Sequence, residues 1–316
     1  MTGGVRIDKK DYAESRQCKV TFKSREEYAL SDEKLQEKSD TYKSEVKKPQ
    51  RVKSDVDSDL PVSSTQNENL FAFIIANEHY DKLQNQNVGC VDYAIHDGEV
   101  FCEYCNVVLG VPVQNIFLTR DATYLNMMDV VDQMKDIADS HAGQARFIFY
   151  YAGHGFPNDA GTDSYLFPTD GTRAVPNQGY SLTTLYQRLG ELDTKSVVVF
   201  LDACFSGSTR SGNMLASVRG LARSVPKKKL SGNIVVFSAS SKEEPANPYH
   251  EKGHGLFTYF LLKKLKESPD ITLSALSTYI NEEVYKCSTS RIQKKQRPDT
   301  TFSPNMENVW RNMVLK

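Results

Sequence analysis

Short apolar runs alternate with amphipathic segments along most of the chain, starting near Asn69. The runs LFAFIIANEHY, VQNIFLT, ARFIFYYAGHG, KSVVVFLDACFSG and GNIVVFSASS end in polar or glycine-rich residues, as strands covered on both faces do. Between and after them, DYAIHDGEVFCEYCNVVL, LNMMDVVDQMKDIADSH, SLTTLYQRLGEL, GLFTYFLLKKLKES and LSALSTYINEEVYKCS carry apolar residues at helical spacing. Strands that alternate with helices predict right-handed crossovers. We therefore expect an α/β fold, a three-layer sandwich whose mostly parallel β-sheet has helices on both faces.

The first part of the chain has a different character. Residues 1–66 are rich in Lys, Glu, Asp, Ser and Gln and hold few apolar clusters. Such a segment buries too little surface to offset the entropy of ordering it, which predicts a flexible polar arm or linker. A short strand in CKVTF and a helix from Ser31 to Lys48 are the alternatives within it. Residues 67–316 are then one domain.

Composition narrows the function classes. The 316 residues have a formal net charge of −1, so no global field favours nucleic acid or an anionic membrane. No apolar run approaches the roughly 20 residues that span a bilayer, and the N-terminus shows no signal peptide. The expectation is a cytoplasmic protein that binds neither nucleic acid nor membrane.

The cysteines do not suggest a disulfide scaffold, since six in a chain of this length are too few. Cys102 and Cys105 form a single CxxC with no second pair at ligand spacing. We interpret them as half-buried helix cysteines rather than zinc ligands.

Chemically active side chains follow two of the predicted strands. His154 lies between glycines after FIFYYAG, and Asp202 and Cys204 end VVVFLDAC. Ligands of parallel sheets bind outside the carboxyl ends of the strands. If these strands are neighbours, an imidazole and a thiol project over the same rim.

FIFYYAGHG and VVVFLDACFSG, with FAFIIANEHY before them and GNIVVFSASSKEEPA and GHGLFTYFLLKKL after them, resemble the caspase-fold cysteine peptidases. The resemblance covers about residues 69–300 and is closer to metacaspases and their bacterial relatives than to animal caspases. Cys204 follows His154 by 50 residues, the approximate spacing in caspases. The resemblance implies a Cys–His dyad with Cys204 as nucleophile, His154 as base, and the backbone N–H groups of Gly155 and Cys204 as oxyanion donors. It implies protein or peptide substrates and no cofactor for the chemistry.

The residue two before the cysteine bears on specificity. It is Asp202, and an acid there favours a basic P1 residue, Arg or Lys, through a charge-assisted contact. The alternative is that Asp202 only caps the following turn. The metacaspase pattern Cys-x-Asn-Asp-Ala corresponds here to CVDYA, in which Tyr93 stands where the acid is expected and Asp92 lies one place earlier, so the preference between Arg and Lys is open. The predicted P1 pocket comprises Cys90, Asp92, Tyr93, Ala152 and Asp202.

A basic insert separates a large-subunit-like part, ending at about residue 208, from a small-subunit-like part at 233–316. The loop at 208–232 holds six basic residues and no acid. Caspase-type enzymes often mature by cutting at this place, which predicts self-cleavage; nucleic acid or lipid recognition is the alternative. The candidate cleavage residues are Arg210, Arg219, Arg223, Lys227, Lys228 and Lys229.

Calcium activates many metacaspases, and Asp159, Asp163 and Asp170 offer oxygen ligands. Their spacing is not that of an EF-hand, Ser211 stands where an acid often helps, and turn formation is the alternative role. No metal site is assigned. The leading hypothesis is a cysteine endopeptidase, and the resemblance to metacaspases, which are mostly monomeric, implies a monomer. A latent scaffold and a transpeptidase are the alternatives.

Overall fold

The computed structural model describes residues 54–80, 88–158, 160–172, 175–205, 230–241 and 244–316. The predicted strand in CKVTF, the helix at 31–48 and the calcium candidate Asp159 lie outside these residues. So does most of the basic loop, with its six candidate cleavage residues (Arg210, Arg219, Arg223, Lys227, Lys228 and Lys229).

Five amphipathic segments form the helices that their spacing predicts, and three begin at a hydroxyl residue whose side chain accepts a backbone N–H. The helices are α1 (Ala94–Val107), α2 (Tyr124–Ser140), α3 (Leu182–Gly190), α4 (Leu256–Glu267) and α5 (Leu273–Cys287). The strands are β1 (Leu70–Ala76), β2 (Ile116–Arg120), β3 (Arg146–Ala152), β4 (Gly155–Pro157), β5 (Ser164–Leu166), β6 (Tyr180–Ser181), β7 (Ser196–Asp202), β8 (Ile234–Ser238), β9 (Pro248–Tyr249), β10 (His254–Gly255) and β11 (Asp299–Phe302).

The central sheet has the strand order β11–β8–β7–β3–β1–β2. Its five predicted strands pair in parallel, and β11 is added antiparallel at one edge beside β8. Every residue of β1 and β7 is buried, which explains their continuous apolar sequences. The fold is therefore the mostly parallel α/β sandwich that the sequence predicts.

Helices cover both faces of this sheet and produce two separate hydrophobic cores. One core joins the sheet to α1, α4 and α5, and the other joins it to α2 and α3. Each fully buried aromatic or aliphatic side chain contributes about 1.5–3 kcal/mol relative to an exposed one. The three layers give the ends of β3 and β7 a rigid support.

The compact unit begins earlier than the boundary at residue 66 that the polar composition suggests. Val56 is completely buried, and the hydroxyl of Tyr104 donates to its carbonyl at 2.8 Å. Lys266 donates to the carbonyls of Asp55 and Ser58. Two apolar side chains, Val56 and the partly buried Leu60, and a set of charged contacts thus hold the segment 54–60, which we call the N-terminal strap, against α1 and α4. None of the described helices is both long enough and apolar enough to cross a membrane.

Candidate active site

The pairing of β3 with β7 places the two predicted catalytic residues at the same rim. Ala152 lies opposite Asp202 at the ends of these parallel strands. His154 and Cys204 each follow by two residues, and the N–H of Gly153 donates to the carbonyl of Asp202 at 3.3 Å, so the two chain segments are still in contact just before both residues. The inference that an imidazole and a thiol share one rim requires adjacent strands, and they are adjacent.

The orientation of the His154 ring is set by a backbone carbonyl that the sequence did not reveal. His154 Nε2 lies 2.7 Å from the carbonyl oxygen of Gly89, and the imidazole is almost fully buried. A carbonyl accepts only, so Nε2 carries the proton in the neutral ring and Nδ1 is the basic nitrogen. The contact selects the tautomer in which Nδ1 can take up a proton.

The backbone of His154 is held by a cluster of buried phenols. Its N–H donates to the Tyr80 hydroxyl at 2.9 Å, and its carbonyl accepts from the Tyr151 hydroxyl at 2.7 Å and from the Phe167 N–H at 3.0 Å. The Tyr80 ring also contacts the imidazole, with centroids 4.6 Å apart. Burial raises the pKa of Tyr80, so its phenol stays neutral at physiological pH.

Cys204 is buried beneath the segment that leads from β8 to β9. Its Sγ accepts from the N–H of Ala246 at 2.7 Å and donates to the carbonyl of Ala246 at 3.3 Å. Both contacts are with main-chain groups. In this structure the thiol is therefore covered by a backbone segment.

Glycine is needed at position 155 because the backbone of the cysteine segment approaches it. A Cβ on Gly155 would lie 2.9 Å from the carbonyl oxygen of Cys204 and 2.5 Å from a ring carbon of Phe205. The structure thus brings together the two backbone positions that the sequence assigns to the oxyanion hole.

The acid assigned to the P1 pocket is fully buried at the end of β7. Oδ2 of Asp202 accepts from the Thr258 hydroxyl of α4 at 2.6 Å, and Thr258 also hydrogen bonds the Tyr150 hydroxyl at 2.8 Å. Ala152 is buried directly across the strand pair. Asp202 is therefore held by a helix hydroxyl on the face of the sheet that carries the dyad.

The other predicted pocket residues lie in the segment before α1, which reaches the site through Gly89. Cys90 and Asp92 are half-buried. Tyr93 adopts a left-handed backbone with φ of 69°, an unusual conformation for an aromatic residue, and its hydroxyl lies 2.9 Å from His250 Nδ1. This contact joins the segment 88–93 to the turn that follows β9, and the same segment borders His154 through the Gly89 carbonyl.

Two of the calcium candidates have protein partners. Asp163 accepts from the Ser164 N–H and the Ser181 hydroxyl, and Asp170 accepts from the N–H of Tyr124 at the start of α2. Cys102 and Cys105 lie on α1 as free thiols, half-buried and buried. Within the described ranges, neither pair belongs to a group of three or more ligand side chains.

A parallel α/β sandwich with a histidine and a cysteine at adjacent strand ends is the architecture of a caspase-fold protein. The sequence model of the caspase domain matches residues 69–309. The chain belongs to the caspase-domain family of cysteine peptidases. The crystal structure of caspase-1 from Spodoptera frugiperda is similar in fold, with a TM-score of 0.52 over 78% of this chain and 93% of that chain, at 14% sequence identity. Among curated protein sequences, none matches this chain.

Proposed function

We propose that the chain is a cysteine endopeptidase with Cys204 as nucleophile and His154 as general acid and base. The observation that carries the proposal is the register of β3 and β7, which places the two residues at equivalent positions beyond adjacent strands. The Gly89 carbonyl supports it because it selects the imidazole tautomer that the reaction needs.

The reaction follows the general pattern of thiol acyl transfer. The Cys204 sulfur attacks the scissile carbonyl carbon after its proton passes to His154 Nδ1, and a C–S bond forms as the carbonyl becomes an oxyanion. Donation from the N–H groups of Gly155 and Cys204 stabilises this oxyanion, and each such donor contributes about 2.7–4 kcal/mol in comparable enzymes. His154 then protonates the leaving amine as the C–N bond breaks. Water, deprotonated by His154, hydrolyses the thioester and regenerates the thiol.

We further propose cleavage after Arg or Lys. The buried carboxylate of Asp202 lies two residues from the nucleophile, and a guanidinium or ammonium in the P1 pocket would form a charge-assisted contact with it. Asp92, in the segment that borders the dyad, adds a second negative group. An acidic P1 side chain would meet repulsion from both.

A panel of peptide reporters that differ only in P1 (Arg, Lys, Asp) tests the activity and the preference together. Wild type is expected to cleave the Arg and Lys reporters, Cys204→Ala and His154→Ala to cleave none, and Asp202→Asn to lose most of its preference for basic P1. Equal hydrolysis by wild type and Cys204→Ala would refute the peptidase assignment. If Asp202→Asn keeps the preference for basic P1 residues, the proposed role of Asp202 is refuted and the peptidase assignment is not.

Self-processing in the loop at 208–232 and activation by calcium belong to the same proposal, as does the metacaspase-like character. Intact-mass analysis of wild type and Cys204→Ala, with and without calcium, tests them. Fragments that end at a basic residue of the loop in wild type alone support self-cleavage, and a dependence on calcium supports activation. The monomeric state is tested on the same samples by light scattering.

A latent scaffold is the second candidate, and the burial of the Cys204 thiol under a chain segment is the observation that raises it. Ala246 both donates to the thiol and accepts from it. A scaffold predicts that a peptide aldehyde with P1 Arg forms no adduct with Cys204, whereas a peptidase predicts a thiohemiacetal that is detectable by mass spectrometry.

A further inference from the structure

We propose that Asp57, His96 and His254 form a binding site for a divalent transition metal, with Zn²⁺ as the ion that fits best. The three side chains come from the N-terminal strap, from the first turn of α1 and from β10. They are not part of the Cys–His dyad, and the inference does not depend on the proposed peptidase activity.

The donor atoms already lie at distances that suit one tetrahedral ion. His254 Nε2 is 2.9 Å from Oδ1 of Asp57, and His96 Nε2 is 3.4 Å from Oδ2 of the same carboxylate. The ligand atoms of the three residues all lie within 4.8 Å of one another. Zinc bonds of about 2.0–2.1 Å in a tetrahedron place ligand atoms about 3.4 Å apart. Small side-chain movements therefore bring all three donors onto one ion.

A buried acid behind the cluster orients one of the histidines. Asp97 is completely buried, and its Oδ1 lies 2.7 Å from His254 Nδ1 while its Oδ2 accepts the N–H of Gly255 at 2.9 Å. Metal-binding histidines usually donate their second ring N–H to a carboxylate in this way. With Nδ1 committed to Asp97, the Nε2 of His254 is directed towards Asp57 and His96.

The same contacts also describe an ion pair, and the third imidazole distinguishes the two interpretations. Burial alone would lower the pKa of His254, but its hydrogen bonds to Asp57 and Asp97 raise it to about 9. Such a cation bonds Asp97 through Nδ1 and Asp57 through Nε2, so this ion pair does not involve the ring of His96. Yet the His96 ring is stacked on His254, with centroids 4.8 Å apart, and its Nε2 points at the same carboxylate. Two imidazoles around one carboxylate are a ligand arrangement, and nitrogen donors select Zn²⁺ over Ca²⁺.

The site is accessible and would have a structural effect. The side chains of Asp57 and His96 are 18% and 20% exposed, which leaves a path for the ion and a fourth position for water. Its three ligands belong to three separate segments. A bound ion would fasten the N-terminal strap to α1 and β10 and stabilise the folded chain over the unfolded one.

The test uses the full chain with Cys204→Ala, because a thiol beside an imidazole also binds zinc. Zn²⁺ titrated by calorimetry is expected to bind once per chain. Adding His96→Ala or Asp57→Asn should weaken that binding at least tenfold, while the control His79→Ala, which disrupts a two-member pair with Asp121, should not. Co²⁺ should give the visible spectrum of a tetrahedral site without the charge-transfer band of a thiolate ligand. The absence of that band would exclude the remaining cysteines as ligands.

Three results would overturn the proposal: no Zn²⁺ binding by the Cys204→Ala chain, equal affinity in the variants, or a thiolate band with Co²⁺. Circular dichroism of each variant establishes that it is folded, and His96→Gln replaces His96→Ala if the alanine variant is not. Zn²⁺ should also raise the midpoint of thermal unfolding of the Cys204→Ala chain. Ca²⁺ at the same concentration should shift the midpoint of this chain and of the cluster variants by the same amount.

Discussion

The substitution Tyr80→Phe removes one oxygen atom from the support of His154, the proposed general base, and leaves the aromatic ring in place. The Tyr80 hydroxyl accepts the His154 N–H at 2.9 Å and donates to the Phe167 carbonyl at 3.2 Å. That carbonyl also accepts from Asn77 and Tyr151 at 3.2 Å each, so it stays satisfied in the variant. The donor that loses this acceptor is the buried N–H of His154.

Removal of the acceptor from a buried N–H costs about 1–3 kcal/mol, whereas the net loss of a hydrogen bond whose partners remain satisfied costs about 0.5–1.5 kcal/mol. Tyr151→Phe is the matched control, because the His154 carbonyl keeps the Phe167 N–H as donor. We expect Tyr80→Phe to lower the free energy of unfolding in urea by about 1–3 kcal/mol and to exceed the loss in Tyr151→Phe. The kcat of reporter cleavage should fall with a smaller change in KM, because the lost hydrogen bond holds the backbone of His154 while the Tyr80 ring stays in place. A loss no larger than that of Tyr151→Phe would refute the reasoning.

Three further predictions concern the rim and one half-buried thiol. Gly155→Ala places a Cβ 2.9 Å from the Cys204 carbonyl, so kcat/KM should fall by up to about 100-fold, and an unchanged value would show that this backbone contact does not matter. Thr258→Val removes the donor to Asp202 Oδ2 and should lower the free energy of unfolding in urea by about 1.5–3 kcal/mol. Thr258→Ser keeps the hydroxyl and should retain the wild-type stability. Burial raises the pKa of Cys102 to about 12, which leaves a thiolate fraction of about 10⁻⁴ at pH 8; iodoacetamide should label this residue only after denaturation, as peptide mapping would show.

The parallel strands and the helices could be predicted because their sequences carry strong periodic signals. Strands buried on both faces must be almost wholly apolar, and β7 is an example. The edge strand β11 and the small sheets lack that signal, since they are two to four residues long and partly polar. Their formation depends on pairing with distant segments. The docking of the N-terminal strap was missed for a related reason, because its stretch of 54–60 is mostly polar and only two apolar side chains, Val56 and Leu60, pack on the core.

The candidate site divides in the same way between local and distant signals. His154 and Cys204 stand out because each follows an apolar strand within a few residues. Gly89, Tyr80 and Ala246 contact them through backbone groups or a phenol, 42 to 74 positions away in sequence. No spacing rule connects such residues, because a carbonyl or an amide is present at every position and only the fold selects which one is used.

The cover over Cys204 also bears on the choice between peptidase and scaffold. Ala246 contributes only a methyl group beyond its main chain, and both of its contacts with Sγ are made by backbone N–H and C=O groups. An incoming peptide carries the same groups in the same repeat, so it can replace the segment without leaving a buried polar group unpaired. A permanently blocked site would be expected to use a bulky or charged side chain that no substrate backbone can mimic. The chemistry of the cover therefore favours a site that peptides can open.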